Sequence, residues 1–139
     1  MEGNKRKILI VDDDNFLLDM YALKFSQNNF EVYTVASGIH ALEKLKGGLC
    51  PDVMLMDIIM PEMNGFEVLS ELKAKQICPG CVKIILSNKS EQKDIDEGKK
   101  LGVSGYIVKA SSTPAEVIMQ VVKILEESSQ RRSAEKAEN

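Results

Sequence analysis

Three polar residue types stand at the downstream ends of four short apolar runs, and their chemistries complement one another. Asp12, Asp13 and Asp14 follow Ile8-Leu9-Ile10-Val11, Asp57 follows Val53-Met54-Leu55-Met56, Ser87 follows Ile84-Ile85-Leu86, and Lys109 follows Tyr106-Ile107-Val108. A carboxylate at the tip of a buried strand is unfavourable unless a partner uses it. Carboxylates drawn together raise one another's pKa unless a hard divalent cation takes their oxygens, and a few carboxylates with retained water is the usual pattern for Mg²⁺. A hydroxyl donor and an ammonium point charge beside them would suit phosphoryl oxygens. Asp12, Asp13, Asp57, Ser87 and Lys109 together therefore make a set able to hold a phosphoryl group and its metal. Asp14 has the simpler role of capping the helix that follows.

The elements that must position these residues are legible as a repeating pattern. Apolar runs at Ile8–Val11, Val32–Val35, Val53–Met56, Val82–Leu86 and Tyr106–Val108 are each followed by a longer segment with helical spacing. That alternation is the βαβ signature of an α/β fold, a doubly wound parallel sheet with helices on both faces. Runs that are apolar throughout, rather than alternating, fit strands buried on both sides. In such a sheet ligands bind outside the carboxyl ends of the strands, where the winding direction reverses, so residues far apart in sequence converge there.

The helical segments differ in how firmly they should be held. Asn15 to Gln27 carries Leu17, Leu18, Tyr21, Ala22 and Phe25 on one stripe; Ser37-Gly38 opens a second helix, with Ala41, Leu42 and Leu45 inward and Gly47-Gly48 closing it. After a sharp turn through Pro61 and Asn64-Gly65, a third carries Phe66, Val68, Leu69 and Leu72. Thr113-Pro114-Ala115-Glu116 combines a capping box with Pro at the first helical position, ahead of a stripe of Val117, Ile118, Val121, Val122 and Leu125. Glu91 to Leu101 has only Ile95 and Leu101 as large apolar anchors and carries Gly98 inside. Weakly anchored elements of that kind are where conformational change is recruited. From Ser128 onward the chain is polar and offers nothing to bury, so residues 5–127 are expected to form the domain and 128–139 a disordered tail.

The bulk properties exclude several function classes. At 139 residues, 44% hydrophobic and 28% charged, the chain has the size and composition of one soluble globular domain. No apolar run approaches the ~20 residues of a membrane span, and Met1-Glu2-Gly3-Asn4-Lys5-Arg6-Lys7 lacks the apolar core of a signal peptide, so a cytoplasmic location is expected. A net charge of −3 without a Lys/Arg patch argues against direct nucleic-acid binding.

In order and spacing, Ile-Leu-Ile-Val-Asp-Asp-Asp, Met-Asp-Ile-Ile-Met-Pro-Glu-Met-Asn-Gly, the strand-end Ser87 and Gly-Tyr-Ile-Val-Lys resemble the response-regulator receiver domains of two-component signalling, from Lys7 to about Glu127. The resemblance implies a flavodoxin-like sheet of order 2-1-3-4-5 with five helices. It implies that Asp57 is the phosphoacceptor, serving a sensor histidine kinase or a histidine phosphotransfer protein. Mg²⁺ would be held by Asp13, Asp57 and the Ile59 carbonyl directly and by Asp12 through water, with Ser87 and Lys109 on the phosphoryl oxygens. Ser87 and Tyr106 would be the switch pair, read out on the face of the fourth helix, fifth strand and fifth helix, with a phosphorylation-dependent homodimer through that face as one outcome. Such a domain is a phosphoacceptor with slow self-dephosphorylation rather than a turnover enzyme.

Two positions depart from the family pattern beside the same crevice. Asn88 stands where a small residue often follows the hydroxyl, and Ala110 where a cis-Pro often follows the Lys. A cis bond to a non-proline residue costs about 2.5–4 kcal/mol. A trans Lys109–Ala110 bond with a reshaped loop is therefore expected. Ile59 and Lys89 occupy positions that vary in the family and influence dephosphorylation, and their identities alone fix no rate.

Competing readings rest on fewer residues. Asp12-Asp13-Asp14-Asn15-Phe16 also resembles the D-x-D-x start of haloacid-dehalogenase phosphatases, with Asp12 as nucleophile, but Phe16 replaces the usual Thr or Val and no later acidic pair supplies the second metal motif. A pseudo-receiver that works without phosphorylation is disfavoured by the complete acidic, hydroxyl and ammonium set. Cys78-Pro79-Gly80-Cys81 has C-x-x-C spacing, and Cys50 should lie near it at the edge opposite Asp57. With His40 out of reach a closed zinc site lacks its fourth ligand, and the thiols are expected to flank a Pro-Gly turn without a role.

Overall fold

The computed structural model describes residues 5–138, with side chains through residue 135. Five parallel strands, β1 (Arg6–Val11), β2 (Phe30–Val35), β3 (Val53–Met56), β4 (Val82–Ser87) and β5 (Gly105–Val108), lie in the order β2-β1-β3-β4-β5. They alternate with α1 (Asn15–Ser26), α2 (Gly38–Lys46), α3 (Gly65–Ala74), α4 (Gln92–Lys100) and α5 (Pro114–Glu138). The doubly wound order places the winding reversal between β1 and β3, the two strands that end in carboxylates.

Period-two alternation splits the strands between two cores. Ile8, Ile10, Val53, Leu55, Ile84 and Leu86 face Leu18, Phe25, Val117 and Val121, so α1 and α5 cover one side of the sheet. Leu9, Val11, Met54, Met56 and Ile85 face Ala41, Leu45, Val68 and Leu72, so α2 and α3 cover the other. The apolar runs of β1, β3 and β4 follow from that double burial, whereas the edge strand β2 has exposed Glu31 and Thr34. Strands at the sheet edge are covered less, and their sequences relax accordingly.

The expected caps form. Asp14 Oδ1 accepts from the Leu17 N–H at 3.2 Å and Ser37 Oγ from the His40 N–H at 3.1 Å. Asn64 and Glu67 make a reciprocal capping box at 2.9 and 3.0 Å, and Thr113 and Glu116 another at 3.2 and 2.8 Å. The sharp turn after β3 has its left-handed residue at Glu62 (φ 68°), and Asn64 is the extended N-cap from which α3 starts. Gly65 is required for packing: a Cβ there would stand 2.5 Å from the Asp57 carbonyl oxygen.

The polar C-terminal segment is a correction. Residues from Ser128 continue α5 as far as Glu138 instead of forming an irregular tail. Lack of apolar surface does not prevent a helix from propagating once packing has nucleated it, and Ser-Ser-Gln-Arg-Arg-Ser-Ala-Glu-Lys-Ala-Glu contains no Gly or Pro to stop it. Arg132 also ties the extension down by donating to the Gly80 carbonyl at 2.8 Å.

Candidate functional site

The sheet brings Asp12, Asp13 and Asp57 together, with one carboxylate oxygen from each lying within 4.8 Å of the others. Asp12 and Asp57 are buried and Asp13 is exposed, so the cluster opens to solvent on the Asp13 side. Strand register explains the convergence: Val11 pairs with Met56, and the Asp57 N–H donates to the Val11 carbonyl at 3.0 Å, holding the two strand ends side by side.

Lys109 is the counter-charge. Its Nζ donates to Asp12 Oδ2 at 2.7 Å and to Asp57 Oδ2 at 2.8 Å, bridging residues 97 and 52 positions away. The other oxygens are held by backbone: Asp12 Oδ1 accepts from the Asp14 N–H at 2.9 Å, and Asp57 Oδ1 from the Ile58 and Ile59 N–H groups at 2.7 and 3.3 Å. Burial nevertheless raises the Asp12 pKa, because the opposing pull of Lys109 and the Asp14 N–H does not fully offset lost hydration. Burial also works to lower the Lys109 pKa, but its bonds to Asp12 and Asp57 outweigh that and the net shift is upward. The site therefore carries an excess of partly desolvated negative charge with one fixed cation.

Such a donor set suits a hard cation. Its ligand atoms are all carboxylate oxygens, Asp13 leaves one side open to water, and the Ile59 carbonyl accepts no hydrogen bond among the described residues. The geometry fits Mg²⁺ better than zinc, which prefers nitrogen and sulfur.

Ser87 is fully buried at the end of β4, its Oγ accepting from the Lys89 N–H at 3.2 Å and leaving its own proton free to donate. Tyr106, half-buried on β5, donates its hydroxyl to the Lys89 carbonyl. Burial, together with the charges of Asp94 and Asp57, pushes its pKa up to about 12, so the phenol stays a donor. Sequence marks Lys89 only as a variable position, whereas in the fold its backbone meets Ser87 and Tyr106 and its Nζ pairs with the buried Asp94 of α4 at 2.9 Å.

The two departures turn out to be partners. Asn88 Oδ1 accepts from the Ala110 N–H at 2.7 Å, joining the loops after β4 and β5. Pro at 110 would have no N–H to give. The described residues contain no cis peptide bond, and Lys109–Ser111 forms a short 3-10 turn, in agreement with the expected trans link.

Residues 8–123 match the family described as the response regulator receiver domain. The chain belongs to that family. Among curated relatives, this receiver domain is 30% identical over 118 residues to the response regulator SaeR of Staphylococcus aureus, covering 85% of the chain but 50% of SaeR. The chain thus spans about half the length of the curated relatives it matches. Among solved structures, a CheY-like response regulator receiver domain protein from Methanospirillum hungatei superposes with a TM-score of 0.83 at 26% identity, over 92% of this chain and 99% of that one. The chemotaxis response regulator CheY4 of Vibrio cholerae gives 0.79 at 26% identity, over 87% and 99%. The receiver domain is a phosphorylation-activated signalling switch, and nothing in the likenesses favours the phosphatase or pseudo-receiver readings. No helix of the described residues is long and apolar enough to cross a membrane.

Proposed function

We propose that Asp57 accepts the phosphoryl group, from a phosphohistidine on a sensor histidine kinase or histidine phosphotransfer protein, with Mg²⁺ held by Asp13, Asp57 and the Ile59 carbonyl and by Asp12 through water. The observation that carries this reading is the pair of hydrogen bonds from Lys109 to Asp12 and Asp57, which sets two strand-end carboxylates beside a fixed cation and a third carboxylate. An Asp57 oxygen attacks phosphorus in line, the phosphorus–nitrogen bond breaks, and the donor imidazole leaves with the bonding pair. When bound, Mg²⁺ would offset charge on the phosphoryl oxygens.

The chain's own groups do the rest. The Ile58 and Ile59 N–H groups fix Asp57, so that one face of its carboxylate points outward. Lys109 turns from Asp12 to a phosphoryl oxygen, and Ser87 donates its free proton to another. Drawing Ser87 away from the Lys89 N–H disturbs the Lys89 junction with Tyr106 and Asp94, which carries the change to the α4-β5-α5 face. A phosphorylation-dependent homodimer through that face is one readout, and slow return of the phosphoryl group to water resets the domain in the cytoplasm without turnover of a substrate.

Acetyl phosphate with Mg²⁺ tests the assignment. Intact mass should rise by one phosphoryl group, the rise should vanish in Asp57→Asn and after chelation by EDTA, and it should persist at lower rate in Asp12→Asn. Labelling that survives Asp57→Asn and is lost in Asp12→Asn would transfer the nucleophile to Asp12. Millimolar Mg²⁺ should also raise the thermal midpoint, since it binds only the folded cluster.

A further inference from the structure

The end of the sheet remote from Asp57 holds a second group of reactive side chains. Cys50, in the loop entering β3, and Cys78, in the turn before β4, have their Sγ atoms 2.9 Å apart although 28 residues separate them. All three cysteines are free thiols. The C-x-x-C spacing points to Cys78 with Cys81, but the fold pairs Cys78 with Cys50 instead. Cys78 has a left-handed backbone (φ 45°), which aims its thiol at Cys50 and at the Leu49 carbonyl, 3.2 Å away. Cys81 is buried and donates to the Val82 carbonyl at 3.5 Å, away from the pair.

The setting also favours exchange chemistry. The thiols border a cleft of about 320 Å³ whose rim includes Arg6, Arg132, Ser128 and Ser129. Lys83 Nζ donates to the Cys78 and Cys81 carbonyls at 3.4 and 3.1 Å. Those bonds hold the turn that carries Cys78 beside the cleft, and exchange needs an attacking sulfur that a small disulfide can reach. Cys50 is exposed, whereas burial and the neighbouring Cys50 push the Cys78 pKa up to about 11. The order of events follows from that asymmetry. Cys50 attacks first and Cys78 resolves.

We propose that Cys50 and Cys78 form a reversible redox pair that closes to a disulfide by exchange with a low-molecular-weight disulfide. The Cys50 thiolate attacks one sulfur of the small disulfide, whose S–S bond breaks and whose other half leaves as thiolate. Cys78, giving its proton to that leaving thiolate, then attacks the Cys50 sulfur and expels the second half, which takes up the proton that Cys50 lost. Two protein thiols are oxidised to one disulfide and one small disulfide is reduced to two thiols. The sulfurs must close from 2.9 Å to the ~2.05 Å of a bond, a side-chain adjustment. The product links the segments entering β3 and β4, adjacent strands of the sheet, and so staples the end opposite the phosphoacceptor.

The full chain is equilibrated in buffers of graded glutathione to glutathione disulfide ratio, quenched with an alkylating agent, and read by intact mass and peptide mapping. Two of the three thiols should disappear together, with a Cys50–Cys78 cross-linked peptide and a raised thermal midpoint that dithiothreitol reverses. Cys81→Ser should titrate like the unsubstituted chain, Cys78→Ser should stop at a mixed disulfide of Cys50 with glutathione, and Cys50→Ser, lacking the attacking thiol, should keep Cys78 reduced. Three alkylatable thiols at the most oxidising ratio, a Cys78–Cys81 link, or only intermolecular dimers would each overturn the proposal. Mapping on the unsubstituted chain decides it even where a Ser variant fails to fold, and acetyl phosphate labelling of Asp57 is read separately.

Discussion

The helices on either side of β5 are held by different forces. α5 buries Val117, Ile118, Val121 and Leu125 in the core shared with α1. α4 contributes no hydrophobic side chain to either core cluster among the described residues; its buried positions are Asp94 and Gly98. Asp94 pairs with Lys89 at 2.9 Å and accepts from the Glu91 N–H at 3.1 Å, so the helix hangs from its own leading loop. Gly98 lets it approach the sheet, since a Cβ there would stand 3.1 Å from both Ile85 and Val103. Apolar burial is non-directional and hard to undo locally, whereas an ion pair at a loop can be released by a small movement. The loop in question starts at Ser87, at the same sheet end as Asp57. α5 is the fixed wall and α4 the element free to respond.

The comparison is broken most severely by attacking α5. Leu125→Ala removes a core side chain exposed by only 6% and should cost about 2–4 kcal/mol in urea unfolding, lowering protection across the whole sheet. A cost below about 1 kcal/mol would mean that α5 is not the anchor described here.

Next in size is the α4 clasp. Asp94→Asn should speed amide exchange through residues 92–100 while leaving β1, β3 and β4 protected, because only the local attachment is lost. Uniform acceleration would put Asp94 in the global core instead. The hydrogen-bonded Lys89 lowers the Asp94 pKa, so its contribution is present above the ordinary carboxylate range and is lost as pH falls through the depressed folded value. Asp12 has the opposite sign. Its raised pKa means that the ionised form opposes folding as pH rises through the folded value, so Asp12→Asn should raise the metal-free thermal midpoint at neutral pH while reducing the Mg²⁺-induced increment. A lowered midpoint would show that its bond to Lys109 outweighs its desolvation.

What sequence could disclose followed from locality. Strands, caps and the strand-end acidic set depend on runs and spacings within a few residues, and β1, β3 and β4 matched because interior strands are buried on both faces over runs of consecutive residues. The features that escaped depend on where loops travel. Charged residues are assigned to solvent by default, so a buried Asp94 cannot be told from Asp96 until the path of Lys89 is known. C-x-x-C spacing favours Cys78 with Cys81, and only the left-handed turn at Cys78 redirects its thiol to Cys50. The helical course of the C-terminal extension has no apolar stripe to announce it; helix propensity and the Arg132 contact to Gly80 carry it instead.

The smallest expected effect tests whether the two departures from the family pattern are one feature. Asn88 and Ala110 are 22 residues apart, and their 2.7 Å bond is exposed, so Asn88→Ala alone should cost about 0.5–1 kcal/mol. Ala110→Pro removes the same donor and adds a second strain, because a residue before proline is driven out of helical backbone angles and Lys109 begins a 3-10 turn. It should therefore slow acetyl phosphate labelling as well, by displacing the ammonium from Asp57. In a double-mutant cycle the bond is lost only once, so the combined stability cost should fall short of the sum by about the cost of Asn88→Ala. Strict additivity would show that the carboxamide and the N–H are neighbours without being partners. Slowed labelling in Asn88→Ala alone would go further, making this bridge part of what holds Lys109 in place.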